Sequence, residues 1–319
     1  MKWDRLITVL FVVVVLYSCK TDKKIPDAIT GIDVALQVDR FDKAFADATK
    51  GDWHNLKKAY PYLFPDQFDD AFWEEKLKDT LQIEINKEVR QVFPDNTFLD
   101  RELTEFFKHV KYYYPSTIVP KIITVTSEVE YRNRIILADT LALISLDCYL
   151  GSEHPFYGGI SQYLVKNFRR EQITVDIAEA FVKTKVPAPQ AFSFMDALIY
   201  EGKQLYLMEQ LLSIKPIHEV LGYTEEEYEF AIGNEVNIWE FFVRKELLFS
   251  TDRKLLARFI NPAPFSKFYL ELDNETPGRI GRYIGYQIVK SYMENNAVPM
   301  ETMLVHNAEL IFNNAKYRP

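Results

Sequence analysis

The sequence predicts an α+β fold, predominantly α-helical, in a single domain over residues 33–319. Three observations predict it. Apolar residues recur at three- and four-residue spacing through most of the chain, the signature of helices with one buried face. β-Branched runs are confined to residues 120–147, which predicts one small sheet flanked by helices. No long linker interrupts residues 33–319, and an aromatic content of 14% supplies ample material for one large core.

The chain opens MKWDRLITVLFVVVVLYSC, with Lys2 and Arg5 ahead of an uncharged run from Leu6 to Tyr17. That run is shorter than the roughly 20 apolar residues a membrane-spanning helix needs. With Leu16-Tyr17-Ser18-Cys19 it reads as a signal peptide over residues 1–18 that ends in a bacterial lipobox. Cleavage and acylation at Cys19 predict a membrane partner reached through lipid. Residues 19–32 then form the lipidated N-terminus and a polar tether. At ~3.5 Å per extended residue the tether reaches no more than roughly 45 Å, which keeps the body close to its membrane. Lys20 after Cys19 is not the aspartate that favours inner-membrane retention, so the outer membrane is the expected location.

Cys148 is the other cysteine. With Cys19 acylated no intrachain disulfide forms, and Cys148 reads as a small buried hydrophobe in an apolar run. The formal charge is −8, with no Lys/Arg cluster. An acidic body of this kind excludes nucleic acid and anionic headgroups as partners. Anchorage is therefore expected through the acyl chains rather than through charge.

Along the body, four apolar faces predict helices before Tyr114: Phe41, Phe45 and Ala48; Trp53, Leu56 and Tyr60; Leu81, Ile85, Val89 and Val92; and Leu99, Leu103, Phe106, Val110 and Tyr113. Gly51, Pro61, Pro65, Pro94 and Pro115 break the ladder between them. The breaks are fairly regular but carry no repeated residue signature, so a helical array is not predicted. Lys121–Thr126 is a β-branched run, and Arg134–Leu137 with Leu141–Leu146 form a hairpin across Ala138-Asp139-Thr140. Helices resume at Ile160–Phe168, Ile173–Thr184 and Asp196–Leu212. Thr224-x-x-Glu227 is a capping box opening a long helix whose face is Ile232, Val236, Trp239, Val243 and Leu247. Thr276 and Pro277 read as N-cap and first residue of a helix through Glu294, and a last helix after Pro299 carries Met303, Leu304, Leu310 and Ile311.

Few residues point to chemistry. The five histidines, His54, His109, His154, His218 and His306, include no H-x-x-x-H pair of the kind that ligates zinc. No Gly-x-Ser-x-Gly marks a nucleophile, and Gly158-Gly159 is a lone doublet rather than a phosphate loop. No cofactor, metal or nucleotide is therefore expected, and no catalytic residue is assigned. Two stretches stand out. In DALIYEGKQLYLMEQLL, Glu201 falls on the apolar face made by Leu198, Leu205, Met208 and Leu212, where a carboxylate must be paired, solvated or neutralised. In Pro277-Gly278-Arg279-Ile280-Gly281-Arg282-Tyr283-Ile284-Gly285-Tyr286, the glycines each cost about 1 kcal/mol in a helix. Gly281 and Gly285 therefore read as a notch for a neighbouring helix. The two arginines oppose the helix dipole and call for an anionic partner. Candidate carboxylates are Glu201, Asp147 and Glu240, at least one of which is expected to pair with Arg279 or Arg282. Asp147 otherwise caps a turn, and Glu240 otherwise pairs with its i+4 neighbour Arg244.

Taken together, several segments give the chain a family resemblance: the lipobox Cys19, Leu146–Gly151 with His154–Tyr157, Ile199–Lys203, Leu248–Asp252, Pro262–Phe265, and Pro277–Gly281 through Gln287–Val289. In this order, over almost the whole mature chain, it resembles the gliding-motility lipoprotein GldB family of Bacteroidota. The resemblance implies a lipid-anchored envelope protein, accessory to gliding motility and coupled to type IX secretion, with other gliding or secretion envelope proteins as partners. The family is also distantly similar to His-Glu-x-x-His zinc peptidases, which implies a peptidase-like (zincin-like) scaffold. By that analogy Tyr200 and Gln204 occupy the histidine positions, Glu201 the general base, and Glu240 or Glu235 the third ligand. Tyrosine and glutamine are poor zinc ligands, so a non-catalytic binding protein is expected. The alternatives are a peptidase-like hydrolase, or a peptide- or glycan-binding lipoprotein, using the cleft around Glu201.

Overall fold

The computed structural model describes residues 27–271 and 273–319. The signal peptide, the lipobox with Cys19 and the tether up to residue 26 lie outside the described residues. The body begins earlier than the sequence suggests: α1 (Asp27–Thr30) is a single turn whose Ile29 is buried.

The N-terminal part comprises β1 (Val38–Asp39), α2 (Phe41–Ala46), α3 (Trp53–Ala59), α4 (Asp70–Lys78), α5 (Thr80–Val92) and α6 (Thr97–Tyr113). Asp69 and Asp79 cap α4 and α5 by accepting from the amides of Phe72 and Gln82. Phe45, Trp53, Leu56 and Phe64 make a small satellite core here, separate from the main one.

The sheet follows, with β2 (Lys121–Val125), β3 (Ile135–Leu137) and β4 (Leu141–Ser145) in spatial order β1-β2-β4-β3. The β3–β4 hairpin is antiparallel, pairing Ile135 with Ile144 and Leu137 with Ala142. The sheet is not confined to residues 120–147, because β1 adds a parallel edge through Val38 and Ile122. Two residues are too few to show a period of two, so this strand carries no sequence signal.

The rest is helical: α7 (Gln162–Val165), α8 (Ile173–Lys183), α9 (Phe194–Leu211), α10 (Ile217–Leu221), α11 (Glu225–Gly233), α12 (Glu235–Arg244), α13 (Lys254–Phe259), α14 (Ile280–Asn295), α15 (Met300–Val305) and α16 (Ala308–Ala315). Ser193 and Asp196 form a reciprocal capping box that starts α9 two residues before the expected position. Helix α9 is buried on nearly every side, and α14 packs along it. Among the described residues no helix is long and apolar enough to cross a membrane.

Three sequence expectations are corrected. The capping box at Thr224 and Glu227 is present, but its helix ends at Gly233, and Asn234 starts a new helical frame by bonding back to Phe230. Of the expected face, Ile232, Val236 and Val243 are about half exposed and Trp239 and Leu247 pack against the core, while Ile238 and Phe242 are buried. Thr276 and Pro277 do not open α14. Pro277 bridges to Phe265, and the helix starts only after Arg279, whose φ of 62° is left-handed. Ser266 causes the delay, since its hydroxyl donates to the Pro277 carbonyl and accepts from the Ile280 amide. The last expected helix is two helices, because Asn307 caps α16 through the Leu310 amide and ends the run at α15.

The Gly281–Gly285 notch is real and has two occupants. A Cβ on Gly281 would stand 2.8 Å from the Phe259 carbonyl oxygen, and one on Gly285 would overlap the Leu198 carbonyl of α9. Backbone contact of this closeness is why α14 tolerates glycine.

Candidate functional site

Helix α9 carries Tyr200 and Glu201 side by side, with Gln204 one turn further on. Glu201 Oε2 lies 2.7 Å from Arg282 Nε of α14. Arg282 Nη2 is also 3.8 Å from Glu179 Oε1 of α8, and Arg279 Nη2 is 3.9 Å from the same atom. Arg279 Nε donates to the Ile260 carbonyl at 3.3 Å. Two carboxylates and two guanidiniums thus meet where α8, α9 and the start of α14 converge.

The electrostatics follow from this packing. Burial pulls the Arg282 guanidinium towards neutrality, and Glu201 and Glu179 more than reverse it, leaving its pKa raised. Arg279 gains less from the same carboxylates, and burial with the adjacent Arg282 brings it down to about 10. Burial would raise Glu179, but Arg282, Arg279 and Lys183 hold it well below the usual carboxylate range. Glu179 was not read from the sequence as a site residue. Its signal was available, since it is an acidic residue inside the apolar run of α8, as Glu201 is in α9.

The other predicted carboxylates lie elsewhere. Asp147 is fully buried and accepts from the amides of Ser127 at 3.1 Å and Val129 at 2.7 Å. It holds a turn in which Glu128 and Val129 both adopt positive φ, and burial raises its pKa against those amides. Glu240 is exposed, 3.6 Å from Arg244 on the surface of α12, and takes no part in the buried network. Glu235 accepts from Tyr317 Oη and Gln287 Nε2, each at 2.8 Å, and from Tyr283. Cys148 is buried, and burial beside Asp147 pushes its thiol up to about 12, which makes it inert.

These residues do not fit a zinc site. Gln204 is buried with its amide turned 3.4 Å from the Tyr200 carbonyl, Glu201 faces a guanidinium, and Glu235 is held by two tyrosines and a glutamine. Among the described residues no group of three or more His, Cys, Asp or Glu is placed to hold a metal ion. What the arrangement offers is a cleft. Tyr200 and Glu201 line a recess of about 370 Å³ with Phe192, Ala197, Leu256 and Asn261. Its walls are mainly apolar, with Glu201, Asp196, Asp252, Arg253 and Asn261 as polar points, the composition of a binding recess.

The chain is similar to the family described as gliding motility protein GldB, whose model matches residues 21–319. No curated protein and no solved structure matches it.

Proposed function

We propose, from the premise that this chain belongs to the gliding motility protein GldB family, that its body is a non-catalytic binding module. Family membership makes it a gliding-motility lipoprotein, and so a lipid-anchored protein of the cell envelope. Beyond that, our reading is an accessory component of the gliding machinery, coupled to type IX secretion and anchored in the outer membrane. It engages another envelope protein through the cleft beside Glu201, on a peptidase-like scaffold that has lost its catalytic function.

One observation carries the reading. The Glu201 carboxylate, which a metallopeptidase would use as general base, is 2.7 Å from the buried Arg282 guanidinium. A carboxylate committed to a buried guanidinium is not free to orient on an attacking water, which a general base must do. The exposed Phe192 at the rim of an apolar recess suits a protein partner.

A deletion strain complemented with variants tests this. Phe192→Glu should leave protein abundance normal, abolish gliding and lose an envelope protein that wild type captures by crosslinking. Glu201→Gln should glide in proportion to the protein that accumulates. Hydrolysis of an envelope protein by the purified wild type, lost in Glu201→Gln at normal folding, would overturn the proposal in favour of an enzyme.

A further inference from the structure

Lys203 follows Glu201 by two residues and is 7% exposed. Its Nζ donates to the Leu304 carbonyl at 2.9 Å and to the His306 carbonyl, at the break between α15 and α16. An ammonium has three N–H donors, and these bonds use two. Several other buried or largely buried cations among the described residues have carboxylate partners: Arg282 has Glu201, Arg134 has Asp176 at 2.6 Å, and Lys215 has Glu102 at 3.3 Å. Among the described residues no Asp or Glu lies within ion-pair distance of Lys203. Burial alone lowers it to about 8, with no carboxylate to offset the loss of solvation.

Lys203 lines a second cleft, of about 610 Å³, which shares Tyr200 and Asp196 with the Glu201 recess. We propose that this cleft binds a carboxylate-bearing ligand with an apolar body, whose carboxylate takes the third Lys203 N–H and supplies the missing counter-charge. A single free N–H suits one carboxylate oxygen. Asp196 and Glu309 in the lining disfavour a dianion such as phosphate, while Pro187, Val305 and Leu310 provide apolar wall for the rest of the ligand. The cleft adjoins the Glu201 recess, and the inference stands whether or not that recess binds a partner.

The probe is N-acetyl-leucyl-leucine, with its C-terminal amide, acetate and inorganic phosphate as comparisons. Binding is followed by calorimetry and by the ¹³Cε resonance of Lys203 in the full chain in detergent. The expected result is that the peptide acid moves the Lys203 resonance, raises its pKa, and binds at least about tenfold tighter than the amide, as a charge-assisted hydrogen bond in a buried site does. Lys203→Gln should abolish that preference. Because that variant also loses the bonds to α15, Val305→Asp serves as a second: its position is 67% exposed, so the fold tolerates the charge, and it should weaken the acid at least about threefold by repulsion. An unmoved Lys203 resonance would mean that the ammonium only caps α15, and would overturn the proposal. So would an amide that binds as well as the acid, acetate that matches the peptide, or phosphate that binds more tightly than either.

Discussion

Gly202 of α9 and Gly285 of α14 meet backbone to backbone: a Cβ built on Gly202 would overlap the Gly285 carbonyl group, and one on Gly285 would overlap that of Leu198. The two helices that organise the core are therefore spaced by their main chains, and a methyl group at either glycine must push them apart. Gly202→Ala and Gly285→Ala should each lower stability by about 3 kcal/mol, at the upper end for overpacking a filled core. Gly233 at the end of α11 has nothing within reach of a Cβ, and Gly233→Ala should change stability by less than about 1 kcal/mol. Urea midpoints at constant slope would show it. Equal midpoints for Gly202→Ala and Gly233→Ala would mean that the helices are not in close contact.

The Glu201–Arg282 pair holds the same two helices by charge. Glu201→Gln leaves Arg282 buried with only Glu179, 3.8 Å away, and should cost about 3 kcal/mol. Arg282→Met removes the cation and strands Glu201, which is partly solvated and should lose less. The double variant should recover at least about 1 kcal/mol relative to the sum of the singles. Additive losses in a double-mutant cycle would show that the pair is proximity without coupling.

Lys203 gives the fold a pH dependence of definite sign. Its folded pKa of about 8 is below the ordinary value of 10.5, so between these pH values the unfolded chain binds more protons and stability rises with pH. The penalty is fully present below about pH 8 and is relieved as pH rises towards 10.5. Lys203→Met removes the titration, so the stability difference, wild type minus variant, should increase between pH 7 and 9.5. A difference that stays flat over this window in thermal unfolding would place the ammonium in solvent.

Much was legible before the fold was known. Spacing of apolar residues located α5, α6, α8 and α9, whose buried faces are long enough for a period of 3.6 to stand out. Short elements were legible only where they carried an apolar face or a β-branched run, as α2, α3 and the β3–β4 hairpin do. Helix α4 buries no residue, and the two-residue β1 offers nothing to count. The break at Gly233 and Asn234 left Val236 and Val243 half exposed and buried Ile238 and Phe242 instead, because one interruption shifts the register of everything after it.

The sequence by itself determined the helical α+β class, the family, the expected lipid anchor at Cys19 and the demand that Glu201 and two helix-opening arginines find partners. Only the tertiary structure decided which partners met. Glu201 went to Arg282, Glu179 joined from α8, Glu240 stayed on the surface, Asp147 served a distant turn, and Lys203 was left facing a cleft without a counter-charge. The physical reason is that burial makes a charge need a partner, which a residue pattern reveals, while the partners of Glu201, Glu179 and Lys203 are fixed by contacts between segments far apart in the chain.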